Sequence, residues 1–189
     1  MLSPRTISRW GGLAMTLGGL FWVLKAGTIL LVGYQPPLIF EVAPLLFALG
    51  LVGLYSHLSP HAGPLGTSGM VVAGLAFVAR LAASVYETLP GARVSTGEDF
   101  VFPSSLLVLG GTLGIFVSLV LLGIAALRTR GLPPPWRMVP LGVGLVAIPV
   151  GATGMLHIEL PILLLGGLWM LLGYTISRGA KGTATTAAS

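Results

Sequence analysis

The chain has 189 residues, of which 54% are hydrophobic and only 8% are charged, and its formal net charge is +5. Because a soluble domain carries about 25% charged residues, a water-exposed surface of ordinary composition is excluded, and most of the chain should lie in lipid. Cysteine is absent, which excludes disulfides, thiolate metal sites and a cysteine nucleophile.

The first apolar run covers 11–32 and follows two arginines, Arg5 and Arg9. A basic start before an apolar run is also typical of a secretory signal peptide. Here the run continues to Val32, and no A-x-A-like cleavage site precedes a soluble chain. We therefore interpret this run as an uncleaved first membrane span.

Five further apolar runs follow, each close to the roughly 20 residues that cross a bilayer: 38–55, 68–85, 103–127, 138–155 and 160–176. Proline and glycine mark the breaks between them. The sequence thus predicts an all-α polytopic membrane protein, with six transmembrane helices built as three helical hairpins in one domain, 1–177. The remaining residues, 178–189, are mostly small and polar, and predict a disordered cytoplasmic tail.

The charged residues outside the apolar runs predict the orientation. With the N-terminus inside, one basic residue, Arg93, lies in an outer loop, and the others flank cytoplasmic ends: Arg5, Arg9, Arg128, Arg130, Arg137, Arg178 and Lys181. The acidic residues then all fall on the outer side: Glu41, Glu87, Glu98, Asp99 and Glu159. We predict a multi-pass protein of the inner (plasma) membrane with both termini cytoplasmic. Membrane orientation accounts for the basic charge, so no nucleic-acid partner is predicted.

Two cations lie inside apolar runs and are the most informative residues. Lys25 is about 10 Å inside the outer end of the first span, and Arg80 is about 8 Å inside the outer end of the third. A charge near the bilayer centre costs about 2.5–3.5 kcal/mol. Each side chain could reach the headgroups, form a structural ion pair or bind a ligand. Because helical side chains lean toward the helix N-terminus, both cations start out directed toward the membrane centre.

Acidic partners are available at the same predicted depth. Arg80 and Glu87 share one helical face. Glu41 opens the second span and follows Lys25 across a short connection, while Glu159 opens the sixth span. Our hypothesis is a polar cluster in the outer half of the bundle, serving as a structural network or a ligand site, made of Lys25, Arg80, Glu41, Glu87 and Glu159.

Glycines in the spans predict close helix packing. Gly110 and Gly114 form a G-x-x-x-G step, and glycine also recurs through the fifth and sixth spans. In lipid, small residues let two helix backbones approach one another. We interpret these positions as packing within the chain rather than as a dimerisation motif.

No motif identifies a reaction. His57 and His61 are separated by Pro60, and His157 falls on the opposite side of the predicted membrane, so the histidines predict no metal site. No phosphate-binding loop, dinucleotide fingerprint or hydrolase motif is present. We predict no catalytic residue and no cofactor, and the sequence favours a protein that is not an enzyme without deciding the point.

Two functions from different classes remain. The preferred interpretation is a structural, accessory or interaction subunit whose surroundings are the lipid bilayer and a membrane protein partner. The alternative is a binding or transport module that takes a small anionic or amphiphilic ligand into an outward-facing polar pocket. A membrane-embedded enzyme is a third possibility, but it requires a convergent acid–base set that the sequence does not supply.

Overall fold

The computed structural model describes residues 3–33, 37–59, 61–91, 100–129, 132, 134, 136–152 and 159–185. Side chains at 4, 5, 37–41, 151, 152 and 179–185 are not among those described. Within these ranges the regular structure is all helical, with one 3₁₀ turn at Trp136–Met138 and six α-helices: α1 Pro4–Val32, α2 Pro37–Leu58, α3 Gly63–Glu87, α4 Ser104–Thr129, α5 Val139–Ala152 and α6 Glu159–Thr185.

Local chemistry sets the ends of α1. The Ser3 hydroxyl accepts a hydrogen bond from the Thr6 N–H at 3.2 Å, and Pro4 occupies the first turn, where its missing N–H costs nothing. At the other end, Gly33 takes a left-handed conformation with φ of 68° and donates its N–H to the Ile29 carbonyl at 2.9 Å. This is a glycine C-cap, which a side chain would strain.

Four of the described helical segments are long and apolar enough to cross a membrane: Thr6–Val32, Gly63–Glu87, Ser104–Thr129 and Glu159–Arg178. Two shorter apolar segments, Val42–Leu58 and Trp136–Val150, accompany them. Many large apolar side chains face outward, including Leu31 at 87% exposed and Leu75 at 67%. Soluble monomers rarely expose contiguous apolar surface of this kind, so the surface is suited to lipid.

The six helices form a closed ring in which each helix contacts its neighbours in sequence and α1 contacts α6. The most extensive interfaces are α1–α6, α1–α2 and α3–α4. The first two predicted hairpins are therefore packed helix pairs. The three-hairpin arrangement as a whole is not confirmed, because α6 packs mainly against α1, and α5 packs more against α4 than against α6.

Glycine pairs explain why α6 packs against α1. A Cβ placed on Gly19 would lie 2.5 Å from the Gly166 carbonyl oxygen, and one on Gly166 would lie 2.7 Å from the Gly19 carbonyl oxygen. Gly12 and Gly173 approach one another in the same reciprocal way, at 2.8 and 2.5 Å. On each helix, the two glycines are seven residues, or about two turns, apart. We call this antiparallel contact the α1–α6 seam.

Register fixes the relative directions of the helices. Gly11 of α1 meets Gly53 of α2, and Gly12 meets Gly173 of α6, whereas residues later in α1 meet earlier residues of both partners. Gly66 lies near Ala125, and Gly111 lies near Arg80, so α3 and α4 are also antiparallel. Consequently α1 begins and α6 ends at the same end of the bundle.

This end carries four described arginines that flank the predicted apolar runs: Arg9, Arg128, Arg137 and Arg178. Here the Trp136 and Tyr174 rings meet edge to face with centroids 5.9 Å apart, and the Arg178 guanidinium lies 5.1 Å from the Tyr174 centroid. We call this the basic end. The helix ends that hold Glu87 and Glu159 lie opposite, and we call that the acidic end.

Apolar side chains fill the centre of the ring. The Phe47 ring of α2 stacks on Trp169 of α6 with centroids 4.2 Å apart, and Leu119 and Leu122 of α4 are fully buried in the same cluster as Leu54. Two buried hydroxyls bond to their own helix: Ser118 donates to the Ile115 carbonyl and Thr175 to the Leu172 carbonyl. The described part of the core is thus largely apolar.

Two helix bounds differ from the sequence prediction. Helix α6 continues to Thr185, past 178, where the sequence predicted the disordered tail to begin, and 186–189 lie outside the described residues. Helix α5 has 14 residues and ends at Ala152, while the end of the predicted run 138–155 lies outside the described residues.

Candidate functional site

Lys25 is the one strongly buried charged residue among the described side chains, with 4% of its surface exposed. It lies on α1 six residues beyond Gly19, which faces Gly166. Because α1 and α6 run antiparallel, the same step along α6 leads back to Leu160. Lys25 therefore lies level with the start of α6, where Glu159 stands half-buried. Lys25 also takes part in a polar or electrostatic contact.

Glu41 belongs to the same level of the bundle. Gly18 of α1 packs on Phe47 of α2, so Lys25, seven residues on, is level with position 40 of the antiparallel α2. Glu41 lies in the first turns of α2, although its side chain is outside the described residues. Backbone placement thus brings the Lys25, Glu41 and Glu159 positions to one end of the α1–α2–α6 group.

Arg80 lies in a different interface, between α3 and α4. A Cβ on Gly111 would lie 2.6 Å from Cγ and 3.0 Å from Cδ of Arg80, so the arginine stem lies across the glycine. Arg80 is half-buried and engages in a polar or electrostatic contact. Gly111 provides the space that the stem needs, which sequence reasoning did not predict.

Glu87 lies two turns beyond Arg80 on the same face of α3. Its Oε1 accepts a hydrogen bond from the Ser104 hydroxyl at 3.3 Å. Ser104 is the first residue of α4 and is almost fully buried. The carboxylate thus lies at the N-terminal end of α4, the positive end of the helix dipole.

The predicted cluster is therefore distributed over two places in the ring. Lys25 lies in the α1–α2–α6 group with the backbone positions of Glu41 and Glu159, whereas Arg80 and Glu87 lie along the α3–α4 interface. Around the ring, α2 separates α1 from α3. Whether all five side chains form one network stays a prediction.

An aromatic cluster next to Lys25 was not predicted. Trp22, one turn before Lys25, meets Phe47 edge to face at 5.0 Å, and Phe47 stacks on Trp169. The indole N–H groups of Trp22 and Trp169 are buried and have no hydrogen-bond partner. A buried donor without an acceptor costs about 1–3 kcal/mol, so these two N–H groups could bind an acceptor atom of a ligand.

The remaining titratable groups give no metal centre. Within the described ranges, no group of three or more His, Asp or Glu side chains could hold a metal ion. His57 is half-buried near the end of α2, and His61 is exposed before α3. His157 lies outside the described residues.

Comparison with known proteins gives no relative. No protein-family model, no curated protein and no solved structure matches the chain. Any assignment of function must therefore come from the geometry described above.

Proposed function

We propose that this chain is a six-span protein of the inner membrane, with both termini in the cytoplasm, that works as a structural or accessory subunit packed against another membrane protein. The apolar core of the described helices carries this proposal. Phe47, Trp169 and Leu119 fill the centre of the ring, where a transport path would need polar lining. A bundle with such a core is suited to binding another membrane protein through its outer surface.

Glycines on the outer surface support a protein partner. A Cβ added at any of four exposed helical glycines would meet no atom within 4 Å: Gly74, Gly110, Gly142 and Gly167. We call these the open glycines. A glycine inside a helix costs roughly 0.5–1 kcal/mol relative to alanine, and no contact within the chain explains these four. In membranes, such positions are where a second helix approaches.

A bulky substitution at an open glycine tests this function. The chain, expressed in its native membrane as Gly74→Leu and separately as each of the other three leucine variants, is crosslinked and purified, and its partners are identified. The matched control is Val78→Leu, which adds one methylene at an exposed position one turn along α3. We expect at least one glycine variant to lose a stoichiometric partner protein at unchanged melting temperature. If the parent chain purifies alone, the proposal is wrong.

Orientation can be tested directly because the chain has no cysteine. Single cysteines at Thr88, at the acidic end, and at Ser59, at the basic end, are both on exposed positions. In right-side-out vesicles, a membrane-impermeant maleimide should label Thr88→Cys and spare Ser59→Cys until the membrane is opened. The reverse pattern would place the termini outside.

A specific observation favours the alternative, a binding module for a small anionic or amphiphilic ligand. Lys25 is buried one turn from Trp22, and the buried indole N–H groups of Trp22 and Trp169 have no acceptor, so these two donors suit a carboxylate or phosphate. Native mass spectrometry of the gently solubilised chain tests it. A small anionic molecule lost in both Lys25→Met and Trp169→Phe, but retained in the surface control Trp10→Phe, would favour this function.

A further inference from the structure

A cavity of about 270 Å³ opens at the basic end, between the start of α3 and the end of α4. Its polar lining comes from His61, Arg128 and Thr129, and its apolar lining includes Pro64, Leu65 and Ala125. The volume is slightly below the roughly 300–1,000 Å³ typical of sites for drug-sized ligands. It is sufficient for a compact headgroup.

Arg128 gives the cavity its charge. Two other arginines at this end have partners: the Arg137 Nε donates to the Leu132 carbonyl at 3.1 Å, and Arg178 lies over the Tyr174 ring. Arg128 lies in the last turn of α4 with its side chain exposed at the cavity wall. A guanidinium binds phosphate oxygens in a bidentate manner, and an imidazole beside it can donate a further hydrogen bond.

An apolar stripe leads away from the cavity along α3. Pro64 lines the cavity, and the exposed residues that follow it at helical spacing are Ser68, Val71, Leu75 and Val78. Gly66, Gly69 and Ala76 face α4 instead. The stripe therefore runs from a basic pocket into the apolar surface of the bundle, which is the shape of a headgroup site with an acyl-chain track.

We infer that this cavity binds the phosphate headgroup of an anionic phospholipid, with His61, Arg128 and Thr129 around the headgroup and one acyl chain along Val71, Leu75 and Val78. The inference rests on the membrane placement proposed above, which puts the basic end at the cytoplasmic surface. Basic pockets between helices on that side are suited to anionic headgroups. It does not require a protein partner.

Native mass spectrometry of the full chain tests the site. The chain is released from mixed micelles of phosphatidylglycerol and phosphatidylcholine, and retained lipids are counted. We expect phosphatidylglycerol to be retained preferentially, and Arg128→Gln to weaken its binding about tenfold, as expected for one lost charge-assisted hydrogen-bond pair. The matched control, Arg9→Gln, removes the same charge from an exposed arginine at the same end, away from the cavity, and should keep parent affinity.

Further measurements distinguish a bound lipid headgroup from free inorganic phosphate. Inorganic phosphate should displace the lipid only at concentrations far above the lipid's own, because it lacks the acyl chain. Equal retention of phosphatidylcholine, equal losses in Arg128→Gln and Arg9→Gln, or equally tight binding of inorganic phosphate would each overturn the inference. Arg128→Lys, which keeps the charge without the bidentate fork, should lie between parent and Arg128→Gln. Loss of the lipid site would leave the partner test at Gly110, Gly142 and Gly167 unaffected, because these positions lie on helices other than α3, so the two proposals fail separately.

Discussion

The α1–α6 seam and the α3–α4 interface join antiparallel helices by different means. In the seam, glycine meets glycine, and the backbone of each helix occupies the space that a side chain on the other would need. In the α3–α4 interface, glycines face side chains instead, such as Gly111 against the Arg80 stem and Gly69 against Leu122. The seam thus joins the first and last helices by rigid backbone contact, while the α3–α4 interface relies more on side chains that can adjust.

The largest effect is expected from Gly19→Leu in the seam. The new side chain would begin 2.5 Å from the Gly166 carbonyl oxygen, and backbone cannot move aside cheaply. We expect a loss of about 3 kcal/mol in the free energy of unfolding, or failure to fold. The measurement is thermal unfolding in detergent. Gly27→Leu, on the same helix, is the control, because a Cβ there meets no atom within 4 Å. An equal loss of stability in both variants would show that the seam is not the cause.

Lys25→Met and Arg80→Met should differ in their effect on the free energy of unfolding, because Lys25 is buried beside the seam and Arg80 is half-buried in the α3–α4 interface. Removing one member of a buried polar pair leaves the other uncompensated. We expect a cost of about 2 kcal/mol for Lys25→Met and under about 1 kcal/mol for Arg80→Met, because Arg80 keeps more access to its surroundings. Denaturant titration of both variants measures the two losses in stability. A larger loss for Arg80→Met than for Lys25→Met would contradict the burial argument.

Gly111→Ala should cost less than the seam variant, about 1 kcal/mol, because part of the conflict is with the flexible Arg80 side chain. The remaining conflict is with the Ala76 carbonyl oxygen, 2.9 Å from the added Cβ. A double-mutant cycle with Arg80→Ala should recover part of the loss. Simple additivity of the two substitutions would mean that the stem does not press on this position.

The smallest effect is expected one residue earlier, at Gly110→Ala. This open glycine meets no atom within 4 Å, so a methyl group only removes the conformational cost of glycine. Stability of the isolated chain should stay equal or rise by up to about 0.5 kcal/mol. A loss comparable to that of Gly111→Ala would show that α4 is rotated relative to the structure described here.

The apolar runs were sufficient to predict six helices, because a continuous stretch of Leu, Val and Gly leaves little choice of structure in lipid. They could not predict the α1–α6 seam. A single sequence favours pairing between neighbours, and the one signal for the seam was the equal seven-residue spacing of Gly12 with Gly19 and of Gly166 with Gly173. The spacing of glycines within one helix does not predict which other helix packs against them.

The candidate site, like the fold, could be predicted from the sequence only in part. The position of Lys25 inside an apolar run predicted that it would be unusual, and it is buried. Phe47 and Trp169, which extend the aromatic cluster from Trp22, come from other helices, so only the packed ring shows them. The Gly110–Gly114 step was expected to pack within the chain. In fact Gly114 packs on Ala76, while Gly110 faces open space, because Gly111 is the glycine that lies with Gly114 against α3.

The seam also constrains how the protein is made. A ribosome releases α1 first and α6 only after the other five helices have been synthesised, so the principal partner of α1 is made last. Until then, Gly12 and Gly19 face lipid or a chaperone rather than the backbone they fit. Helices α3 and α4, in contrast, can pair as soon as both have left the translocon. The ring therefore closes in a single late step, and a chain cut short before Gly166 would hold the α1–α2 and α3–α4 pairs with the α6-binding face of α1 still uncovered.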